Sequence, residues 1–290
     1  MMKKMIGLLI LAMIMFNALF FTQEESFPVM EGPYFGLQPP GEEPLRFAPG
    51  FLSSSDYDIT PTFSPTLDEV FFGRRPTEEG RDNKLYYSTR VNNRWQKPLP
   101  APFSSGAVEY EAQFSVDGKT LFFNRGRRLY FSNKSDGTWG EPCMLKPPVD
   151  EGMCVAPARN GTLYFTAARN RTYGIFRSRL MEGRYEEPEI VIPMAAHPWI
   201  DPDESFMVFD KYDISGGVQT SKLYVSFMKK DGIWSDPAEL DKRINATGTE
   251  LIPKISPDGK YLFFQRKVNG NTDIYWVDAG VVVKEKTSSR

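Results

Sequence analysis

At 290 residues the chain is long enough for one large β domain or two ordinary domains. Aromatic residues at 14%, with 23 Gly and 23 Pro, favour strands joined by many tight turns. Lys+Arg 35 against Asp+Glu 37 leaves a net charge of −2, which excludes the basic footprint of a nucleic-acid binder.

The chain begins with "MMKK" and the apolar run "MIGLLILAMIMFNALFF", Met5–Phe21. A short basic region followed by an apolar run is the layout of a secretory signal, so residues 1–23 are expected to direct export to the periplasm or beyond. The run of 17 residues is at the short edge of a membrane span, and no clear A-x-A cleavage site follows it. Cleavage and retention as an anchor both stay open, and no Cys near its end supports a lipid anchor. Residues 24–43 read as a linker.

From there the sequence repeats. Five hairpins share one chemistry: "FSPTLDEVFFG" (Phe63–Gly73), "FSVDGKTLFFN" (Phe114–Asn124), "PARNGTLYFT" (Pro157–Thr166), "IDPDESFMVFD" (Ile200–Asp210) and "ISPDGKYLFFQ" (Ile255–Gln265). Each sets a Pro/Asp/Asn/Gly turn between apolar runs, which is tight-hairpin chemistry. A third strand follows each: "KLYYST", "RLYFSN", "GIFRSR", "KLYVSF" and "DIYWVD". In four units a fourth strand is expected at an aromatic-x-x-Pro segment, marked by Trp95, Trp139, Tyr185 and Trp234. Aligning the units on Phe72, Phe123, Phe165, Phe209 and Phe264 gives intervals of 51, 42, 44 and 55 residues. That is close to the roughly 40–50 of a propeller blade.

The fold expected is therefore an all-β, five-bladed β-propeller of four-stranded antiparallel blades in one domain, 44–286. The blades fall at about 55–103, 104–148, 149–193, 194–243 and 244–286, with a tail at 287–290. The fifth unit lacks its aromatic-x-x-Pro segment, whereas "PLRFAPGFLSS" (Pro44–Ser54) precedes the first hairpin. Residues 44–54 are expected to close the ring as the outer strand of the last blade. The alternative is that "GVVVKEK" (Gly280–Lys286) supplies that strand. In this arrangement Cys143 and Cys154 lie about three strand spacings apart, roughly 14 Å, against the roughly 7 Å a disulfide tolerates. No disulfide is expected.

The unit "SPDGKYLFF…DIYWVD" and its four degenerate copies resemble the WD40-like repeats of bacterial envelope propellers, of which the TolB type is the familiar example. The resemblance covers about Pro44–Asp278 and implies a bare propeller in the envelope acting as a binding module.

Candidate chemistry is sparse. His197 is the only histidine, which excludes a His-rich zinc site, and no G-x-S-x-G elbow or phosphate-cradling Gly loop is present. No cofactor, metal or catalytic residue is assigned. His197 begins an innermost strand, where a structural role competes with a ligand contact. "SNKSDGTW" (Ser132–Trp139) approaches the sialidase Asp box, but its Asp and Gly are adjacent, so a hairpin turn accounts for it.

A charge pattern follows the repeat. Asp58, Glu109 and Glu250 begin innermost strands, and Arg74, Arg125, Lys211 and Arg266 stand two residues past the register Phe. Hairpin geometry pairs Asp58 with Arg74, Glu109 with Arg125, and Glu250 with Arg266. These residues, with His197, form either a charged rim that docks a ligand or one structural ion pair per blade. Blade 4, with Ala195 at the acidic position, is the sector that departs from the pattern. The function expected is non-catalytic binding of an envelope protein or a glycan at this rim. A glycan-active enzyme using channel carboxylates is the alternative, although neighbouring Arg residues oppose the raised pKa that a general acid needs. An assembly part packing on another envelope protein is a third. Contact with a membrane is expected only through an uncleaved N-terminal segment.

Overall fold

The computed structural model describes residues 28–75, 82–214 and 219–288, so the signal segment expected at 1–23 lies outside the described residues. Leu45–Arg46 (β1) precedes blade 1, which runs Tyr57–Phe63 (β2), Glu69–Arg75 (β3) and Lys84–Val91 (β4). Arg94–Trp95 (β5) and Leu99–Pro100 (β6) both pair with β4. Blade 2 repeats this with Glu109–Phe114 (β7), Thr120–Arg125 (β8) and Arg128–Ser135 (β9), edged by Thr138–Trp139 (β10) and Cys143–Met144 (β11). Blade 3 is Met153–Pro157 (β12), Leu163–Arg169 (β13), Thr172–Ser178 (β14) and Glu189–Pro193 (β17); Leu180–Met181 (β15) and Arg184–Tyr185 (β16) form a small hairpin beside it. Blade 4 is Ala196–Ile200 (β18), Phe206–Asp213 (β19), Thr220–Phe227 (β20) and Ala238–Glu239 (β21). Blade 5 is Leu251–Ile255 (β22), Tyr261–Val268 (β23) and Asn271–Asp278 (β24), and its fourth strand is β1. Innermost strands contact those of both neighbouring blades, so five blades stand in a ring.

The turn residues explain the hairpins. In blade 1 Ser64 Oγ donates to Asp68 and accepts the Glu69 N–H at 3.0 Å. Ser115 with Thr120 and Ser256 with Tyr261 repeat the second bond, and Asp201 does similar work in blade 4. A second device recurs in the third strand. Ser88, Ser132, Ser178 and Ser226 each donate to the carbonyl after the aromatic marker: Gln96, Gly140, Glu186 and Ser235. The aromatic-x-x-Pro segments are consequently not the outer strands themselves. Each folds back on the end of the third strand, and the edge strand forms beyond the Pro.

The ring closes through its termini. Leu45 pairs with Trp276 and Arg46 with Tyr275, antiparallel. Phe47, Phe51 and Leu52 are buried behind them. The alternative closure fails, because Gly280–Ser288 is a helix whose Val281 and Val282 pack between blades 4 and 5. Part of the segment read as linker is packed as well. Tyr34 and Phe35 are buried against Phe63, Trp95 and Trp276, and Trp95 Nε1 donates to Gly32 O at 2.7 Å.

Candidate functional site

The three expected charge pairs form. Arg74 Nε meets Asp58 at 2.6 Å, Arg125 meets Glu109 at 2.8 Å, and Arg266 Nε meets Glu250 at 3.0 Å. All three carboxylates are fully buried. The carboxylates also accept from the preceding loop: Ser54 N–H and Oγ on Asp58, Ser104 Oγ on Glu109, and Thr247 and Thr249 on Glu250. Burial pushes the Asp58 carboxyl upward, with Arg74 working against it. Each guanidinium also binds carbonyls of the chain arriving from the previous blade: Leu52, Phe103, and Arg243 with Ile244. The same guanidinium lies over the register Phe and a third-strand Tyr, as Arg266 does over Phe264 and Tyr275 at 5.1 and 4.9 Å. These are clasps joining one blade to the next. Lys211 has no acid opposite it, since Ala195 takes that place, and it lies over Tyr224. In blade 3 Arg169 reaches Pro148 O instead.

Two residues inward from each clasp position the innermost strand bulges. Register shifts occur between Ile59 and Thr62, Tyr110 and Gln113, Met153 and Ala156, Ala196 and Trp199, and Leu251 and Lys254. In four blades the bulged residue takes a positive φ: Glu111 at 57°, Cys154 at 55°, His197 at 49° and Ile252 at 50°. That conformation is uncommon for residues other than Gly and is held by its neighbours. For Cys154, His197 and Ile252 those neighbours are the residues after the register Phe. Asn124 accepts the Cys154 N–H at 2.9 Å, Thr166 the His197 N–H at 3.0 Å, and Asp210 the Ile252 N–H at 3.0 Å. Gln265 donates to Asp58 O in blade 1.

The bulges bring together residues that the sequence pattern leaves far apart. Cys154 Sγ lies 2.5 Å from Glu111 Oε2, and His197 Nε2 lies 3.4 Å from Glu111 Oε1. One ligand atom from each of Glu111, Cys154 and His197 falls within 4.8 Å of the others. His197 Nδ1 is 2.7 Å from Asp210 Oδ1, and Asp210 Oδ2 is buried without a hydrogen-bond partner. Lys254 faces the same centre from blade 5 and donates to Ala112 O.

Burial opposes charge on His197, and Asp210 outweighs it, holding the imidazole well above its ordinary pKa. Burial also opposes charge on Glu111, yet His197 keeps that carboxyl below its usual range. Burial and Glu111 push the Cys154 thiol up to about 12, so it is no ready nucleophile. Burial lowers Lys254 to about 8. Of this cluster only His197 was singled out from sequence. Glu111, Cys154, Asp210 and Lys254 were missed, although the first two stand two residues past the clasp position and Asp210 follows a register Phe.

Above His197, at the end where the innermost strands begin, half-buried tyrosines gather from four blades: Tyr57, Tyr110, Tyr173 and Tyr212. Tyr212 meets the His197 ring edge-on at 6.4 Å between centroids. Burial raises all four phenols, Tyr110 to about 12, so they remain hydroxyl donors. Beside them opens a recess of about 510 Å³, lined by Tyr57, Tyr212, Arg75, Lys267, Thr249 and Asn271 among others. No carboxylate lines it among the described residues. A second hollow, about 430 Å³, lies at the turn end of the channel, between Trp199, Phe206 and the C-terminal helix.

No protein-family model matches the sequence. Comparison with curated proteins also returns no match. Solved structures do match in shape. A putative TolB from Agrobacterium tumefaciens is 12% identical with a TM-score of 0.51, each chain covering 78% of the other. TolB from Acinetobacter baumannii is 16% identical at a TM-score of 0.51; the match covers 79% of this chain and 53% of that one, so this chain spans about half its length. The α-L-arabinofuranosidase PaAbf62A from Podospora anserina, solved with cellotriose, is 12% identical at 0.51 and covers 82% of this chain and 96% of that one. At such identities a likeness in shape speaks for fold and leaves function to the site. Among the described residues no helix is long and apolar enough to cross a membrane. The chain is a five-bladed β-propeller by its own sheets, similar in shape to TolB and to the arabinofuranosidase.

Proposed function

We propose that this chain is an exported, non-catalytic propeller that binds a glycan at the tyrosine-lined mouth of its channel. The observation that carries this reading is the recess beside Tyr57 and Tyr212, where aromatic rings stand next to hydroxyl, amide and cationic groups. Sugars are held by that combination: ring faces for their C–H surfaces and fixed polar groups for their hydroxyls. Arg75 and Lys267 favour a glycan that carries acidic groups. The clasp residues Asp58, Glu109, Glu250, Arg74, Arg125 and Arg266 support the scaffold in this reading rather than touching ligand. Hydrolysis would need two carboxylates facing the sugar, whereas the rim carboxylates are buried in ion pairs.

Thermal shift of the purified chain against neutral and acidic oligosaccharides, peptidoglycan fragments and short peptides tests it. A ligand at 100 times its dissociation constant adds about 2.7 kcal/mol to stability. The expected result is a shift with an acidic oligosaccharide that Tyr212→Ala abolishes, and an unaltered sugar recovered after incubation. Cleavage of the bound sugar would overturn the non-catalytic reading. A response confined to peptides would overturn the glycan reading and favour a protein partner.

A further inference from the structure

The Glu111–Cys154–His197 cluster is chemistry that glycan binding does not use. The bulge that carries it belongs to the fold, since blade 5 makes it with Ile252. The choice of side chains does not. Blades 2, 3 and 4 place a carboxylate, a thiol and an imidazole on consecutive bulges, and all three converge on the channel axis. A tetrahedral zinc ion, with bonds of about 2.0–2.3 Å to N, O and S donors, spaces its ligand atoms roughly 3–4 Å apart. The 3.4 Å between His197 and Glu111 falls in that range, the 2.5 Å between Cys154 and Glu111 is shorter than it, and all three ligand atoms lie within 4.8 Å of one another.

Two further observations point the same way. His197 presents Nε2 to the centre because Nδ1 is held by a buried carboxylate, the outer-shell partner that metal-bound histidines usually have. That carboxylate, Asp210, keeps one oxygen without a partner in a fully buried position. A cavity of about 10 Å³, the size of about one water-sized sphere, is bounded by Glu111, Cys154, His197 and Lys254. Charge also closes. With His197 neutral, as a metal ligand must be, a thiolate at Cys154 together with Glu111 and Asp210, set against the Lys254 ammonium, leaves a net charge that one divalent cation neutralises.

We infer that Glu111, Cys154 and His197 form a three-ligand site for a borderline-soft divalent metal of the zinc class on the propeller axis. Three protein ligands leave one coordination position for water or another donor, and a mixed S, N, O set favours zinc or cobalt over calcium or magnesium. Asp210 is a positioning residue that orients His197.

The experiment uses the full chain without a histidine tag, stripped with chelator and titrated with Co²⁺ and with Zn²⁺. The expected result is one metal per chain, with a thiolate-to-cobalt charge-transfer absorption that Cys143→Ser retains and Cys154→Ser loses. His197→Gln should weaken Zn²⁺ binding at least tenfold, and Asp210→Asn should weaken it about 10–100-fold. Binding of less than one equivalent by the wild-type chain would overturn the inference without reference to any variant's folding. So would a charge-transfer band that survives in Cys154→Ser. The result is independent of the glycan reading, because no sugar is present.

Discussion

Replacing Arg266 by Ala tests whether the rim charges are scaffold. Arg266 is 7% exposed and Glu250 is fully buried, so truncation leaves a carboxylate inside the protein without its cation. It also removes the donors to Arg243 O at 2.8 Å and Ile244 O at 2.7 Å. Breaking a buried pair from one side costs about 3–5 kcal/mol. For a domain of this size each kcal/mol moves the melting temperature by about 2–4 °C, so the midpoint should fall by about 6–20 °C. The double variant Glu250→Leu with Arg266→Met removes both charges, leaving the Arg243 and Ile244 carbonyls short of a donor and the Thr247 and Thr249 N–H groups to find another acceptor. Its loss should be about 1–3 kcal/mol, smaller than that of the single change. Urea denaturation followed by tryptophan fluorescence reads all three. Arg159→Ala, which breaks an exposed pair with Asp203, is the control and should leave the midpoint unchanged. A loss under about 1 kcal/mol for Arg266→Ala, or a double variant no better than the single, would refute the clasp.

Two more outcomes follow from the same geometry. Phe47 is fully buried beside Phe263 and Trp276, so Phe47→Ala should cost about 3–5 kcal/mol in urea denaturation and broaden the transition as the ring loosens at its seam. Lys254 titrates near 8 in the folded chain and near 10.5 when unfolded. Below pH 8 both states hold its proton, whereas above it only the unfolded state does, so this residue favours folding increasingly as pH rises. The stability of metal-free wild type relative to Lys254→Met should therefore increase by about 1 kcal/mol between pH 7.5 and 9. A flat or falling difference would contradict the lowered value.

The repeat was legible because it is written in residues whose local chemistry is strong. Turn Ser, Asp and Gly, a Phe register and an aromatic marker suffice to count blades and to place the closing strand. The pairing of Asp58, Glu109 and Glu250 with their Arg partners was legible for the same reason, since hairpin register fixes which side chains face each other. What was not legible depended on departures from regular register. The aromatic markers fold back as caps on the third strand, because a buried Ser in that strand takes the next carbonyl. Blade 5 has Val277 at that position and no cap follows it, a signal present in the sequence. Tyr34 and Phe35 pack through tertiary contact alone, with positive φ at both, and no periodicity announces them.

The axis cluster shows how such departures carry function. A period-two strand sends Glu109 and Glu111 to the same face, so alternation alone cannot say that one is clasped at the rim and the other turned to the channel. The bulge separates them. It costs backbone strain at four positions, and at three of them a buried polar side chain, Asn124, Thr166 or Asp210, accepts the strained residue's N–H. Three of the four strained residues also differ in chemical type from blade to blade, whereas the clasps, turn serines and capped aromatics recur. Recurrence in register is what a structural device looks like in a repeat protein. Residues that share a structural position and differ in chemistry mark the place where the blades have stopped being equivalent, and in this propeller that place is Glu111, Cys154 and His197.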